Sequence, residues 1–382
     1  MQVNQEQFDG QEDIYSTQAE YYMNECFELA KKGLGRTSPN PIVGAIILDK
    51  NGLPVARGYH KAAGTEHAEV IAIKEAGEKA KGGTLIISLE PCPHQGRTPP
   101  CTDLIIQSGI REVIFSCYDT NPLVSKKGEK ELLKNNIKVF SHILESEGIE
   151  LNKFFFKWIK SRLPWVTLKQ AQTLDGKIAL GNKQSKWITG ELARKEVHNL
   201  RNIYDAILVG TNTVQTDNPE LTVRNIDNPR NPVRVIIDLN LTTNPDSNVY
   251  KNNSVVYLVT KTDHTEDKLN NYLKRNGDLQ FIRLNEISKD KINFKELFEI
   301  LGKKNILSIL VEAGPLLAGE LISNRLLDEY ILFIAPKVFG DNAALSSVKI
   351  KELENINNSY EFGLFDYKLI GNDLMLFLRT KQ

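Results

Sequence analysis

Apolar residues recur at helical spacing over residues 17–32 and predict an amphipathic helix, which Gly33 and Gly35 end. Continuous apolar runs follow it and predict buried strands, and a second predicted helix runs from Thr65 or Glu66 to Ala76. The predicted strands of this half span residues 42–48, 54–59, 84–89, 112–117 and 137–140. Strands that alternate with helices in this way predict a compact three-layer α/β domain over residues 17–145.

The rest of the chain repeats the alternation with its own apolar runs. Helices predicted over 190–201 and 294–302 lie between these runs, so we expect a second α/β domain over residues 164–382. Its predicted strands span residues 165–169, 206–210, 233–238, 255–260, 306–312, 329–334 and 374–379.

Two segments lie outside the predicted domains. Residues 1–16 form a polar N-terminal extension, which we expect to be frayed. Residues 146–163 form a connecting segment whose aromatic run, Phe154 to Phe156 with Trp158, we expect to pack between the domains.

Composition narrows the classes of protein that this chain can belong to. The 382 residues include 48 basic and 48 acidic side chains, and this balance argues against a broad surface for polyanions such as nucleic acids. Four cysteines are too few for a disulfide scaffold, no apolar run reaches the length of a membrane span, and the N-terminus lacks the pattern of a signal peptide. We therefore expect a cytoplasmic protein that acts on a small molecule, away from membranes.

The most informative motif is His67-Ala68-Glu69, followed by Pro91-Cys92 and then Cys101. Zinc prefers nitrogen and sulfur ligands, and a catalytic zinc keeps three protein ligands and one open position. His67, Cys92 and Cys101 supply three such ligands, and Glu69 is placed to act as a general base on a zinc-activated water. A histidine, a nearby glutamate that is not a ligand and a later Pro-Cys form the signature of zinc-dependent deaminases.

The spacing of the cysteines departs from that signature, because eight residues separate Cys92 from Cys101 instead of two. We therefore expect Cys92 in a loop and Cys101 at the start of the next helix. Two other interpretations remain: the cysteines can be small buried core residues, and the zinc can be a structural site, which normally has four protein ligands. A deaminase of nucleic-acid bases is a further alternative, but it should show aromatic residues interleaved with basic ones.

Asn40 lies in the run Thr37-Ser38-Pro39-Asn40-Pro41, where two prolines fix the backbone. It is either a turn residue or a side chain held rigidly against a substrate, and the sequence favours neither. His94, in the Cys92 loop, is more typical of an ordinary surface histidine than of a substrate contact.

The second half has neither a GxGxxG fingerprint after its first strand nor a phosphate-binding P-loop. It does have a turn of small residues from Glu312 to Glu320 directly after an apolar strand, and such a turn can present backbone N–H groups to a phosphate. Lys169, Arg201 and Arg224 are basic residues that can pair with a phosphate or a sugar. A site for a nucleotide or a sugar phosphate is therefore a hypothesis for this half.

From about Thr17 onward the chain resembles the bifunctional riboflavin-biosynthesis deaminase/reductase family, also called the RibD family. The stretches that carry the resemblance, in the family's order, are SPNPIVGAII, HAEVIAI, LEPCPHQGRTPPC, LKQAQTLDGKIA, SKWITGELAR, DAILVGTNTVQTDNPELTVR, EAGPLLAGELI and DEYILFIAPKVFG. The resemblance implies a cytidine-deaminase-like three-layer fold for the first half and a dihydrofolate-reductase-like α/β fold for the second. The long interval between Cys92 and Cys101 is this family's own pattern.

The resemblance also implies two reactions and two cofactors. The first reaction removes the 2-amino group of 2,5-diamino-6-ribosylamino-4(3H)-pyrimidinone 5′-phosphate with the help of Zn²⁺, and the second uses NADPH to reduce the ribosyl group to ribityl. We expect a homo-oligomer. An alternative is that only the deaminase half is active.

The resemblance assigns roles to individual residues. It implies that His67, Cys92 and Cys101 hold zinc, that Glu69 moves the proton, and that Lys169 and Glu312 lie nearest the hydride acceptor. The residues that match the family's NADPH contacts are Ala171, Trp187, Thr213, Asp217, Ser247, Gly314, Pro315, Leu316, Leu317, Ala318, Gly319 and Glu320. The residues expected to contact substrate are Asn40, Lys169, Ser185, Arg201, Leu221, Arg224 and Glu312, with Arg201 and Arg224 suited to the 5′-phosphate because a guanidinium pairs bidentately.

The run from Asp119 to Gly128 departs from the family pattern, so the fit of substrate there can differ.

Overall fold

The computed structural model describes residues 9–93, 100–121, 124–251, 254–284, 292–350 and 353–381, with side chains from residue 17 onward. The chain forms two compact units, Met1–Arg162 and Leu163–Gln382. No helix in these described ranges is both long and apolar enough to cross a membrane.

The first unit is built on a five-stranded sheet in the order β2-β1-β3-β4-β5. Its strands are β1 (Gly44–Leu48), β2 (Pro54–Tyr59), β3 (Thr84–Leu89), β4 (Glu112–Cys117) and β5 (Lys138–Phe140). Its helices are α1 (Asp9–Lys31), α2 (Ala68–Ala76), α3 (Cys101–Gln107), α4 (Lys127–Lys134), α5 (Glu145–Leu151) and α6 (Lys153–Ser161). The pairs β3–β4 and β4–β5 are parallel, whereas β1 runs antiparallel to both β2 and β3.

Two apolar cores lie on the two faces of this sheet, because β1, β3 and β4 are buried along their whole length and alternate side chains point to opposite faces. Helices α2 and α3 contribute to one core, and α1 contributes to the other. The unit is therefore the three-layer α/β arrangement that the sequence predicts. Helix α1 begins at Asp9, eight residues before its predicted start, so part of the expected polar extension is helical.

The segment expected to connect the domains carries α5 and α6, and both belong to the first unit. The buried side chain of Asn152 accepts the backbone N–H of Ile42 at 2.9 Å and donates to the carbonyl of Ile42 at 3.0 Å. The side-chain amide of Asn152 thus pairs with the backbone N–H and C=O of Ile42, just before β1, as the backbone of a neighbouring strand would. Phe155, Phe156 and Trp158 are buried.

The second unit is built on a nine-stranded sheet in the order β11-β10-β9-β8-β12-β6-β13-β16-β15, with a small β14–β7 ribbon beside it. Its strands are β6 (Trp165–Thr173), β7 (Lys177–Ala179), β8 (Ala206–Gly210), β9 (Val233–Ile237), β10 (Val256–Lys261), β11 (Leu279–Leu284), β12 (Ser308–Val311), β13 (Glu329–Ala335), β14 (Leu345–Ser346), β15 (Phe362–Ile370) and β16 (Asp373–Thr380). Its helices are α7 (Glu191–Ile203), α8 (Thr211–Asp217), α9 (Glu266–Leu273), α10 (Phe294–Lys303) and α11 (Pro315–Ser323).

Seven neighbouring strands, from β11 to β13, are parallel, and the antiparallel hairpin β15–β16 completes the sheet. One face packs against α10 and α11 in a large apolar core, and the other packs against α8 and α9. The two helical layers agree with near-continuous apolar strands such as β8 and β12. All strands predicted in this half are present, and β6 is four residues longer than predicted.

Candidate active sites in the two units

A cluster of metal-binding side chains forms in the first unit where the sequence predicts a zinc site. His67 Nδ1 lies 3.1 Å from Cys101 Sγ and 3.7 Å from Cys92 Sγ, and the two sulfur atoms are 3.2 Å apart. One ligand atom from each of these residues and one from Glu69 all lie within 4.8 Å of one another. The fold therefore brings the two cysteine side chains together although eight residues separate them in the sequence.

The donor atoms of this cluster suit zinc. Zinc–sulfur bonds of about 2.3 Å and zinc–nitrogen bonds of about 2.0–2.1 Å give a tetrahedron with edges of roughly 3.6–3.8 Å. The separation of His67 Nδ1 from Cys92 Sγ, 3.7 Å, matches these edges, and the other two, 3.1 and 3.2 Å, are shorter than the edges that bound zinc would impose. One imidazole with two thiols is a donor set that zinc accepts. The hydrogen bond with Cys101 and the neighbouring His67 lower the pKa of Cys92, which favours the thiolate, the form that binds metal.

Two close backbone contacts position the ligands. A Cβ added at Gly58 on β2 would lie 2.2 Å from the Ala68 carbonyl oxygen, so the first turn of α2 packs directly on β2. His67 is the N-cap residue of that helix, and Glu69 lies in its first turn. On the other side, the Cys92 carbonyl accepts the backbone N–H of Cys101 at 3.0 Å and so fixes the start of α3.

Glu69 is 3% exposed, and burial raises the pKa of its carboxyl, with the nearby Cys92 adding to the rise. A carboxyl held in this way is suited to take up and release a proton beside a metal-activated water. Of the roles predicted in this unit, the ligand set and the general base are the ones that the fold brings together.

Asn40 contacts a residue that sequence reasoning missed. Its side-chain nitrogen lies 3.3 Å from Nε2 of His60, which is 2% exposed. His60 Nδ1 lies 3.0 Å from the Glu66 carbonyl oxygen, and its ring packs edge-on against His67. Burial lowers the pKa of His60, and one neutral tautomer satisfies both contacts. His60 therefore links Asn40 to the zinc cluster, and a histidine seven residues before His67 was the available signal.

Glu90 is a second residue that the sequence did not single out. It lies two residues before Cys92 in the sequence. Its buried carboxylate accepts the backbone N–H groups of Lys126, Gly128 and Glu129 at 3.1, 3.0 and 3.3 Å. It thereby holds part of the loop that departs from the family pattern. Residues 122–123 of that loop, and His94, lie outside the described residues.

The second unit contains a cavity of about 1900 Å³. Ligand pockets are typically about 300–1,000 Å³, so this cavity has room for a dinucleotide and a second ligand. The expected site residues that line it are Lys169, Ala171, Ser185, Trp187, Arg201, Thr213, Asp217, Arg224, Glu312, Gly314, Pro315, Leu316, Leu317 and Glu320. Residues far apart in the sequence thus meet at one site.

Glu312 is the centre of an ion-pair cluster in this cavity. It accepts Nε and Nη2 of Arg201 at 2.7 and 3.0 Å, and Lys169 Nζ lies 3.2 Å away. Burial alone would raise the pKa of Glu312, but Arg201 and Lys169 outweigh it, so the pKa is below its usual range. The carboxylate is therefore ionised at neutral pH.

Arg201 and Arg224, both expected at the substrate phosphate, have different partners here. Arg201 uses Nε and Nη2 on Glu312 and donates Nη1 to the Thr222 carbonyl at 3.2 Å. Arg224, which is half exposed, pairs with Glu220. Of the two guanidinium groups, Arg224 has the weaker, solvent-exposed partner and is freer to turn toward an anion.

The N-terminus of α11 faces the cavity, with Gly314 as its N-cap residue and Pro315 in its first turn. Backbone N–H groups at such a terminus favour a phosphate. Trp187 is 63% exposed at the rim, and the guanidinium of Arg194 lies 4.5 Å from its ring centre. These features fit a cofactor that carries both aromatic rings and phosphates.

Four expected contacts do not line the cavity. Ser247 and Leu221 are buried outside it, and Ala318 and Gly319 lie on the packed side of α11. A Cβ added at Gly319 would lie 2.0 Å from the Lys349 carbonyl oxygen, so that glycine serves close packing.

Asp238 lines the cavity although the sequence did not indicate it. It accepts the backbone N–H groups of Thr242 and Thr243 at 2.9 and 2.7 Å and holds the loop after β9 in place. An aspartate at the carboxyl end of an apolar strand was the available signal, since ligands gather at such ends.

Comparison with known proteins agrees with the division of the chain into two units. A family model described as "Cytidine and deoxycytidylate deaminase zinc-binding region" matches residues 16–117, and one described as "RibD C-terminal domain" matches residues 164–376. The riboflavin biosynthesis protein RibD of Aquifex aeolicus is 40% identical over 359 residues, with 94% of this chain and 97% of the relative covered. That of Escherichia coli strain K12 is 38% identical over 376 residues, with 94% and 99% covered.

Solved structures lead to the same family. RibD from Acinetobacter baumannii superposes with a TM-score of 0.86 at 33% identity, covering 96% of this chain and all of the other. The diaminohydroxyphosphoribosylaminopyrimidine deaminase/5-amino-6-(5-phosphoribosylamino)uracil reductase from Thermotoga maritima gives 0.86 at 36% identity with the same coverage.

A zinc-binding deaminase domain joined to a reductase domain is the class that the fold and the sites define. Within that class, the chain belongs to the RibD family. It is a bifunctional riboflavin-pathway enzyme with deaminase and oxidoreductase activity, and its cofactors are zinc and NADPH.

Proposed function

We propose that the two sites perform consecutive steps on one pyrimidine. The first removes the 2-amino group of 2,5-diamino-6-ribosylamino-4(3H)-pyrimidinone 5′-phosphate by hydrolysis, and the second reduces the ribosyl group to ribityl. The observation that carries the first step is the convergence of His67, Cys92 and Cys101 with the buried Glu69. The observation that carries the second is the Lys169–Glu312–Arg201 cluster in a cavity large enough for two ligands.

In the deamination, His67, Cys92 and Cys101 would hold the zinc, which when bound would supply a water that is nucleophilic at neutral pH. Glu69 would accept a proton from the attacking water and donate a proton to the amino group that leaves as ammonia. Asn40, fixed by His60, lies beside this cluster and donates a hydrogen bond to the pyrimidine ring.

In the reduction, NADPH when bound supplies the hydride. The reaction adds one hydride to C1′ of the ribosyl group and one proton to the ring oxygen that is released. Lys169 is the proton donor that we assign to this oxygen, and the Glu312 carboxylate, 3.2 Å from its Nζ, holds the lysine side chain in place. Arg201 orients Glu312, while Arg224 binds the 5′-phosphate.

The remaining contacts follow from their position around the cavity. We assign the nicotinamide cofactor to Ala171, Trp187, Thr213, Asp217, Glu320 and the N-terminus of α11 from Gly314 to Leu317. Ser185 completes the substrate site. Leu221, Ser247, Ala318 and Gly319 support these surfaces from behind, because none of the four lines the cavity. We further propose a cytoplasmic homo-oligomer.

A paired assay tests both steps. Purified protein receives the diaminopyrimidinone ribosyl phosphate and NADPH, and ammonia release and NADPH oxidation are followed together for the unchanged chain and for Glu69→Gln. We expect the unchanged chain to perform both reactions. We expect Glu69→Gln to retain zinc, to lose about 10²–10⁴-fold in deamination, and to oxidise NADPH normally when given the deaminated intermediate.

Three other results would each contradict a different part of the proposed function. Ammonia release without NADPH oxidation, even with the deaminated intermediate, would mean that only the deaminase half is active. Normal deamination by Glu69→Gln would exclude Glu69 as the group that transfers the proton. An X-ray absorption spectrum with four protein ligands on zinc would favour a structural site.

A further inference from the structure

His198 lines the reductase cavity, and the two reactions described above give it no role. It lies on α7 three residues before Arg201, so the two side chains are neighbours on one face of the helix. His198 Nδ1 lies 3.2 Å from the Thr222 carbonyl oxygen and 3.3 Å from the backbone nitrogen of Arg224. The imidazole therefore contacts the main chain of the residue whose guanidinium we assign to the 5′-phosphate.

The two contacts of Nδ1 need different protonation states of the ring. The Thr222 carbonyl only accepts a hydrogen bond and needs a proton on Nδ1, whereas the Arg224 N–H only donates and needs an unprotonated Nδ1. The Thr222 carbonyl already accepts Nη1 of Arg201 at 3.2 Å. In the described part of the chain, His198 is the one acceptor for the Arg224 N–H. The neutral ring therefore carries its proton on Nε2.

Nε2 is the ring atom that remains for a ligand. Among the described residues, no hydrogen bond is made to Nε2 of His198, whereas both ring nitrogens of His60 have partners. The half-buried His198 ring lines the cavity, and Nε2 points away from the loop that Nδ1 contacts. A ligand in the cavity can therefore accept the Nε2–H.

The charges around His198 favour an anion as that ligand. Three cations and two carboxylates surround the imidazole, which leaves a net positive charge. They are Arg201 on its own helix, Arg224 and Glu220 on the loop after α8, Glu312 directly after β12, and Lys169 on β6. Burial lowers the pKa of His198, and Arg201 and Arg224 lower it further, so the ring is neutral at neutral pH.

We propose that His198 is a further substrate-binding residue of the reductase, which donates Nε2–H to the 5′-phosphate beside Arg224 and takes up a proton when the phosphate binds. This role rests on the proposed function and adds one residue to its phosphate site. A phosphate ester carries a charge of about −1.5 to −2 near pH 7. An opposite charge of this size favours the charged imidazole, whose hydrogen bond to phosphate is also the stronger one.

Protonation also changes what Nδ1 does. With a proton, Nδ1 donates to the Thr222 carbonyl and releases the Arg224 N–H. The bound phosphate raises the pKa of His198, which the two arginines lower in its absence. Binding of the phosphorylated substrate should therefore be tightest at acidic pH and weaken as the pH rises and the ring loses its proton.

A phosphate of NADPH has the same chemistry and binds in the same cavity. His198 contacts Arg224 directly and shares the Thr222 carbonyl with Arg201. Both arginines belong to the proposed substrate site, whereas the residues assigned to the cofactor include those on α8 and at the N-terminus of α11. For this reason we favour the substrate phosphate.

The test removes the histidine and the phosphate separately and together. Reduction of the deaminated intermediate by the full-length chain is measured with the intact compound and after a phosphatase has removed its 5′-phosphate. The variants are His198→Leu, which has no donor, and His198→Gln, which keeps a neutral donor. Asn199→Gln is the matched control, because Asn199 is the next residue on α7, pairs with Glu196 and does not line the cavity. Circular dichroism checks that each variant is folded.

We expect His198→Leu to raise KM for the phosphorylated intermediate by about tenfold at neutral pH, the size expected for a hydrogen bond to a charged group. The values of kcat and of KM for NADPH should not change, because His198 does not touch the reacting atoms. KM for the dephosphorylated compound should be the same in all variants, and Asn199→Gln should behave as the unchanged chain.

His198→Gln separates the charge from the hydrogen bond. Its KM for the phosphorylated intermediate should exceed that of the unchanged chain at about pH 6 and approach it above about pH 8, where histidine is neutral. Calorimetry of the ribityl product phosphate, in two buffers with different heats of ionisation, should show proton uptake by the unchanged chain near neutral pH and none by His198→Gln. A purely structural histidine would produce neither difference.

Four results would overturn the proposal. A rise in KM for NADPH alone would assign the ring to a cofactor phosphate. Equal losses with the phosphorylated and the dephosphorylated compound would mean that His198 only supports the loop after α8. A working reductase that neither His198 variant changes would remove this contact and leave the proposed function intact. An unchanged chain that neither reduces the intermediate nor binds the product would remove the proposed reductase step together with the contact.

Discussion

At the scale of single residues, Glu312 sets the charge balance of the reductase cavity. Two cations, Arg201 and Lys169, share one buried carboxylate, and each of the three side chains is 12–13% exposed. Removing one partner from a buried ion pair costs more than forming the pair gains, because the other charge is left without compensation. The cluster therefore behaves as a unit.

Arg201→Lys should damage the reductase without touching the deaminase. Lysine keeps the charge but cannot make the two parallel hydrogen bonds to Glu312. We expect kcat/KM for NADPH oxidation to fall by about tenfold or more while ammonia release is unchanged, measured in the paired assay. The control is Arg275→Lys, which alters an exposed pair with Asp246 and should change neither rate.

The stability of the second unit should depend on pH through Glu312. Its pKa is lower in the folded chain than the ordinary value of 4.5, so its contribution to the free energy of unfolding is present above about pH 4.5 and is lost as the pH falls toward the folded pKa. Glu312→Gln should cost about 3–5 kcal/mol at neutral pH.

Urea unfolding at a series of pH values measures this dependence. The difference between the unchanged chain and Glu312→Gln should shrink as the pH falls below about 4.5. A difference that stays constant from pH 7 to pH 3 would contradict a lowered pKa for Glu312.

The sequence predicted residues of the zinc site because their chemistry is visible in their type and order. His67, Cys92, Cys101 and Glu69 meet as expected. His60 was not predicted, because its place seven residues before His67 was its only signal and its contacts with Asn40 and His67 exist only after β2 and α2 have packed together.

At the scale of elements, the deaminase site depends on the contact between α2 and β2. Gly58 allows the backbone of the two elements to touch, and it thereby fixes the turn that carries His67 and Glu69. The position of Glu69, the proposed general base, is set here by a residue that has no side chain of its own.

Gly58→Ala should lower zinc occupancy and stability together. The added methyl group would meet backbone atoms of Ala68, which cannot move aside without shifting α2, and overpacking of this kind typically costs about 1–3 kcal/mol. Metal analysis after purification and thermal unfolding measure the two effects. Gly277→Ala, where nothing lies within 4 Å of the added carbon, is the control and should show neither.

Strands buried on both faces were the most predictable elements, because their apolar runs are continuous, as in β3, β8 and β12. The sequence did not predict β15, whose side chains are mostly exposed although many of them are apolar. Its mixed pattern has neither the alternation of a half-buried strand nor the continuous run of a buried one. What determines this strand is its pairing with β16, which no local pattern encodes.

At the scale of the whole molecule, the two sites lie in separate units and use different cofactors. The zinc cluster lies within Met1–Arg162, and every residue that lines the large cavity lies within Leu163–Gln382. A change of metal content should therefore reach one reaction only.

Removal of zinc by a chelator should abolish ammonia release and leave NADPH oxidation of the deaminated intermediate unchanged. Thiolate and imidazole ligands also bind other divalent metals, so Co²⁺ should restore deamination and add visible absorption bands from its thiolate ligands. Loss of NADPH oxidation on chelation would contradict the independence of the two sites.

The two hydrogen bonds between Asn152 and Ile42 limit where this chain can be divided into two separate proteins. A fragment that stops at residue 145, where the strands of the deaminase sheet have ended, would lack Asn152 and leave two backbone groups beside Asn40 without their partners. The same cut would remove Gly148, which packs against Ser116 on β4. A free-standing deaminase made from this gene would need to extend through Arg162, so the natural place to separate the two enzymes lies beyond α6.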